Sequence, residues 1–144
     1  NKTIEISCSD LCCGKIDTLV NLNDTQGFTH VNGNPTPRWL KIDFKNRKIH
    51  LSSYVIKSCD KQSYSDLKAL KSWKIEISND GNSWNSIDTR ENVSELNGDH
   101  KMKVFNISNK HEPFRFIRII TDKDNWYNSD GFIISKFELF GQII

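Results

Sequence analysis

Ser72-Trp73-Lys74-Ile75-Glu76-Ile77-Ser78-Asn79-Asp80-Gly81-Asn82-Ser83-Trp84 is the stretch that decides the fold. Trp73, Ile75 and Ile77 share one face of an extended segment, and Lys74 and Glu76 take the other. That two-residue period belongs to a half-buried strand. Asn79-Asp80-Gly81-Asn82 then signals a hairpin, because Gly tolerates the positive φ that such turns require. A return strand is expected over Trp84 to Ile87, with Trp73 and Trp84 both burying area against a second sheet.

The same pattern extends in both directions. Upstream, Leu40, Ile42 and Phe44 alternate with Lys41 and Asp43 behind Trp39, and Lys45-Asn46-Arg47-Lys48 makes a polar turn. Ile49 to Lys57 reads as the next strand. Downstream, Met102, Val104 and Phe105 mark another. Phe114 to Ile120 is apolar apart from Arg115 and Arg118, as an inner strand would be, with both cations expected to pair with acids at the core edge. Phe132 to Phe140 closes the series. Only Ser65-Asp66-Leu67-Lys68-Ala69-Leu70 offers a helical turn, with Ser65 as its cap. Many short strands with polar turns and no internal repeat imply an all-β, antiparallel sandwich or barrel.

The chain has 144 residues, so one domain over 1–144 with one core is expected. It is 36% hydrophobic and 26% charged, and carries eight Phe and four Trp, which argues against disorder. A net charge of +2, with Lys and Arg interleaved among Asp and Glu, excludes a nucleic-acid partner. Nothing reads as a membrane span or a signal peptide. The first residue is Asn1 rather than Met, so the domain is expected to be part of a longer chain. Cys8, Cys12 and Cys13 crowd the N-terminal end and Cys59 stands apart. A secreted disulfide framework spreads its cysteines, and zinc prefers other spacings. Buried free thiols in a reducing compartment are the expectation, with a disulfide from Cys59 to the N-terminal segment as the alternative. Asn-x-Ser/Thr sequons stand at Asn1, Asn23, Asn92 and Asn106 and weigh mildly for secretion.

Four strings, in order, resemble one family. Trp39-Leu40-Lys41-Ile42-Asp43-Phe44 resembles the discoidin-family strand Trp-Leu-x-Val-Asp-Leu, and Ser72 to Trp84 resembles its "SY-x-IE-x-SNDG-x-x-W" segment. Phe114-Arg115-Phe116-Ile117-Arg118-Ile119 resembles "ARYIRI", and Phe137-Glu138-Leu139-Phe140-Gly141 resembles the closing "IEVYG". The chain is thus similar over residues 20–141 to discoidin-like domains, also called coagulation factor V/VIII type C domains. The wording is most similar to discoidin-like domains of intracellular protist proteins that accompany a BTB domain. The resemblance implies a galactose-binding-like jelly-roll sandwich and a binding module rather than an enzyme. Ser78 to Trp84 also resembles the sialidase Asp-box, but Asp80 and Gly81 are adjacent here, one residue short of that motif.

The resemblance further implies loop tips at one end of the sandwich as the ligand site. The loops so placed are Asn21 to Arg38, Ser58 to Lys71 and Thr121 to Gly131, and they carry Phe28, His30, Tyr64, Trp126 and Tyr127. Aromatics among Asn and Asp suit sugar stacking and equally suit a protein hot spot. In an extended segment Trp126 and Tyr127 point opposite ways, so if one packs inward the other faces out. Sugar-binding relatives hold a structural calcium, but Thr25 follows Asp24 where the family has Gly. Lys136 stands two residues before Glu138, where a ligand carboxylate is expected. A cation there opposes calcium, and no cofactor is expected.

No catalytic constellation is visible: there is no nucleophile elbow, phosphate loop or zincin helix, and His30, His50, His100 and His111 have no motif neighbours. The expected function is a non-catalytic module, an intracellular, cytoplasmic protein–protein interaction or scaffold domain. The alternative is a carbohydrate-binding module of a secreted or surface protein. A protein partner is ranked first, carbohydrate second and a lipid membrane third.

Overall fold

The computed structural model describes residues 4–9, 12–14, 29–31, 37–59 and 68–144. Among them, ten strands form two five-stranded sheets. They are β1 Glu5–Cys8, β2 Cys12–Gly14, β3 Thr29–Val31, β4 Arg38–Asp43 and β5 Ile49–Ser58, then β6 Trp73–Ser78, β7 Asn85–Arg90, β8 Met102–Asn106, β9 Phe116–Thr121 and β10 Phe132–Ile143. The first sheet runs β1-β4-β9-β6-β7 and the second β2-β3-β10-β5-β8, every pairing antiparallel.

Alternation places the core as the residue pattern requires. Leu40, Ile42, Ile75, Ile77, Ile117 and Ile119 of the first sheet face Leu51, Tyr54, Ile56, Phe105, Ile134 and Phe137 of the second. Trp73 is buried with them, and Lys74 is exposed on the opposite face. Large aromatic and branched groups packed between two sheets supply the hydrophobic stabilisation, at roughly 25 cal/mol per Å² removed from water. Gly141 pairs with Leu51 beyond a register shift. A Cβ there would stand 2.0 Å from the His50 carbonyl oxygen, so only Gly allows that close approach.

The β6–β7 turn matches its sequence signal. Gly81 has φ +78°. The Ser78 hydroxyl accepts from the Gly81 N–H at 2.9 Å, and Asp80 Oδ1 accepts from the N–H groups of Asn82 and Ser83 at 2.8 and 2.7 Å. Those N–H groups, Ser83 first, hold the Asp80 carboxyl down to about 2.

Arg115 chelates Asp43 through two hydrogen bonds of 2.8 and 3.1 Å, and Arg118 donates to Glu76 at 2.8 Å. The expected pairing of both arginines with acids is therefore realised. Arg115, first among several causes, lowers the Asp43 carboxyl below its ordinary range.

Four expectations need correction. Trp84 does not pack against the second sheet: it precedes β7, and its ring stacks under the Arg118 guanidinium at 4.0 Å on the outer face of the first sheet. Lys68, Ala69 and Leu70 are not helical, while Ser65 to Leu67 lie outside the described residues. β1, β2 and β3 are further strands, so Thr29–Val31 is paired sheet rather than loop. Cys8 is disulfide-bonded rather than a free thiol, and Cys59 is buried, 1% exposed.

Candidate functional site

Register fixes which loops meet. Arg38 pairs with Thr121, Lys74 with Ile120 and Trp73 with Arg90. The start of β4, the end of β9, the start of β6 and the end of β7 therefore lie at one end of the sandwich. In the second sheet Ile134 pairs with Ser58 and Lys57 with Met102, which brings the end of β5 and the starts of β8 and β10 to the same end. The loops before Trp73, between β7 and β8 and between β9 and β10 converge there.

Backbone strain concentrates in these loops. Lys68, Asn92, His100 and Asn128 all have positive φ (35°, 52°, 53° and 59°), against Lys45 alone at the far end among the described non-Gly residues. Left-handed conformations cost energy for side chains other than Gly and persist where surroundings impose them, which is common at binding sites. Arg38 adds to the strain. It is 1% exposed, donates from Nη2 to Asp130 Oδ1 at 2.9 Å, and leaves its Nε without a hydrogen-bond partner.

The β9–β10 loop is built around Asn125, which is 1% exposed. Its Nδ2 donates to the Gly131 carbonyl at 2.9 Å, and its Oδ1 accepts from the Tyr127 N–H at 2.8 Å. The Asn125 N–H donates to the Ser129 carbonyl at 3.0 Å, closing the loop on itself. One buried amide thus satisfies backbone groups that no strand pairing reaches.

Trp126 and Tyr127 divide into one inward and one outward ring, although both sit in a turn and not in the extended segment that such a division presupposes. Trp126 is half-buried: its N–H donates to the Ala69 carbonyl at 3.0 Å, its Nε1 to the Val93 carbonyl at 2.7 Å, and the Lys71 ammonium sits 4.6 Å from its ring centroid. Trp126 ties three loops together. Tyr127 is 56% exposed at the loop tip. A cavity of about 340 Å³ opens at the same end, lined by Lys71, whose ammonium lies over the Trp126 ring, and by Ser72, Glu91, Asn92, Lys123 and Asp124.

Of the five expected site residues, then, Tyr127 is presented to solvent and Trp126 packs down as a plug. His30 sits within β3, its backbone paired to Ile133, rather than at a loop tip. Phe28 and Tyr64 lie outside the described residues. The β7–β8 loop was not among the expected loops, yet it supplies the Val93 carbonyl, Glu91 and Asn92. Its local signal is the polar run Glu91-Asn92-Val93-Ser94-Glu95 after the return strand. Among the described residues no group of three His, Cys, Asp or Glu is placed to hold a metal.

Comparison with known proteins agrees with this fold. The F5/8 type C domain profile matches residues 14–138. No curated protein sequence matches the chain. Among solved structures, CpGH89CBM32-5 from Clostridium perfringens, in complex with GalNAc-β-1,3-galactose, superposes with a TM-score of 0.70 at 10% identity, covering 96% of each chain. The family 32 CBM of C. perfringens NanJ, in complex with galactose, gives 0.66 at 12% identity over 95% of this chain and 93% of that one. Chitosan-binding module 1 of a Paenibacillus sp. IK-5 chitosanase/glucanase gives 0.67 at 14% identity over 96% of each. At such identities the likeness establishes a shared fold.

Proposed function

The chain belongs to the F5/8 type C domain family, and from that premise we propose that it is a non-catalytic carbohydrate-binding module that grips a sugar at the loop end of the sandwich. The observation that carries this reading is Tyr127, held outward on a loop whose shape Asn125 and Trp126 fix from below. A rigid exposed phenol ring offers an apolar face to the C–H side of a pyranose. At the same end of the sandwich, Lys71, Asn92, Lys123 and Asp124 line a cavity and offer donors and acceptors for hydroxyl groups. The sugar complexes of CpGH89CBM32-5 and NanJ support the class of ligand.

The intracellular protein-interaction reading is weaker. A disulfide at Cys8 suits an oxidising compartment, where such bonds persist, and so supports a secreted or surface setting.

Calorimetric titration with galactose and with GalNAc-β-1,3-galactose tests the proposal. Binding in the millimolar to micromolar range is expected, as is a loss of about tenfold or more for Tyr127→Ala, equivalent to about 1.4 kcal/mol. Absence of any glycan binding, or full-strength binding by Tyr127→Ala, refutes it.

A further inference from the structure

A second cavity, of about 210 Å³, continues the first around the flank of the loop end and onto the outer face of the first sheet. The two share Ser72, Glu91 and Lys123. Beyond these, the second extends over Lys74, Thr89, Ile120 and Asp122. Together they make one groove, which begins at Lys71 beside the Trp126 ring.

The walls of this groove are fastened to one another. The Asn92 N–H donates to the Ser72 hydroxyl at 3.0 Å, and the Val93 N–H to the Lys71 carbonyl at 2.9 Å. Trp126 adds its bonds to Ala69 and Val93, and the Lys123 N–H donates to the Thr121 hydroxyl at 3.0 Å. Loops ordered before a ligand arrives lower the entropy lost on binding.

The charges along the groove cancel. Two of the ions that line it are engaged elsewhere: Glu76 with Arg118, and Arg90 with Asp88. Lys71, Lys74 and Lys123 face Glu91, Asp122 and Asp124, and among the described residues none of these six is in an ion pair. Three ammonium groups and three carboxylates leave no net field to select a charged ligand. They do leave donors and acceptors in equal supply. Ile120, half-buried between them, gives a small apolar floor.

We propose that this groove binds an uncharged oligosaccharide of at least two rings, the first ring at Tyr127 and a later one over Ile120, between Lys74 and Thr89. This rests on the carbohydrate reading above and extends it to chain length and charge. Hydroxyl groups of the later ring donate to Asp122 and accept from Lys74, and its C–H face lies on Ile120.

The test is calorimetry on the intact domain with galactose, a neutral di- or trisaccharide extended from it, a sialylated counterpart and a glucosamine oligomer, each at low and high salt. The wild-type protein is expected to hold the neutral oligosaccharide about tenfold more tightly than galactose, a gain of about 1.4 kcal/mol. The affinity should not change with salt, since no net charge is matched. Lys74 and Thr89 are both exposed, so Lys74→Ala/Thr89→Ala should fold with an unchanged melt. It should lose the gain from chain length and keep the affinity for galactose. Equal affinity for galactose and its extended form, a gain that survives the double substitution, or a salt-sensitive preference for either charged glycan overturns the inference while leaving the carbohydrate reading intact. Failure to bind any glycan overturns both.

Discussion

Trp73 Nε1 donates to the Tyr54 hydroxyl at 3.0 Å and thereby joins the two sheets through their interior. The Tyr54 hydroxyl in turn donates to Asp88 Oδ2 at 2.5 Å, and Arg90 Nε donates to the same oxygen at 2.9 Å. The chain of four groups starts in the core and ends at the rim between β7 and β8. Burial, followed by the Asp88 carboxylate, raises the Tyr54 phenol far above its ordinary range, so it is a fixed donor at every working pH.

Removing either aromatic should show what this chain contributes. Trp73→Ala opens a large void among Tyr54, Phe105 and their neighbours, and should destabilise by roughly 3–5 kcal/mol. Tyr54→Phe keeps the volume but strips Trp73 and Asp88 of their partner, and should cost about 1–3 kcal/mol. Urea midpoints report both. A change below about 1 kcal/mol for Trp73→Ala would contradict its buried position.

Asp80 gives the turn a pH signature. Its folded value of about 2 lies below the ordinary 3.8. The native state therefore binds this proton less readily than the unfolded chain, and stability rises with pH across the interval between the two values. The contribution is present above about pH 4 and lost as pH falls towards 2. Asp80→Asn cannot ionise, so its melting temperature should fall less steeply than the wild type over that interval. Parallel curves would show that the carboxylate charge does not hold the turn.

Trp126 and Tyr127 should separate cleanly in a mutant pair. Trp126→Ala loses the bond to Val93 and the contact with Lys71, and should lower stability by about 1–3 kcal/mol. Tyr127→Ala removes an exposed ring, and should change stability by less than about 0.5 kcal/mol while weakening sugar capture. Thermal melts beside glycan titrations distinguish the two roles. A melt lowered equally by both would mean that Tyr127 also anchors the loop.

Calcium should leave the domain unaffected. Lys136 is 6% exposed at the position where the family resemblance expects a ligand carboxylate. Melting temperatures in excess calcium and in excess chelator should coincide. A ligand that binds only the native state must raise the melt, so a reproducible upward shift would establish a metal site.

Much of the sandwich is visible in residue order because burial imposes its own period. β4 and β6 alternate buried and less buried positions along Arg38–Asp43 and Trp73–Ser78. β9 opens on a buried pair, Phe116–Ile117, and β10 carries a longer buried run, Phe132–Phe137, as the middle strands of their sheets. β1, β2 and β3 hold only three or four residues each. At that length no period can develop, and only pairing with a partner strand defines them. The site follows the same division. That one of Trp126 and Tyr127 faces out is legible in so polar a loop, although the pair sits in a turn, where strand alternation does not apply. That Trp126 finds Val93, 33 residues away, is a matter of topology, so the polar run Glu91 to Glu95 marks the β7–β8 segment as a loop without marking its part in the site.

A loop whose path is set by one buried amide behaves as an interchangeable head on a fixed mount. Asn125 holds the backbone on either side of Tyr127 whichever side chain stands at that position. Diversity introduced at residue 127 would therefore sample ligand preference at nearly constant stability. Diversity at residue 125 would sample loop shapes and folding defects instead. A library that varies the first and spares the second offers a direct route to new glycan specificities on this scaffold.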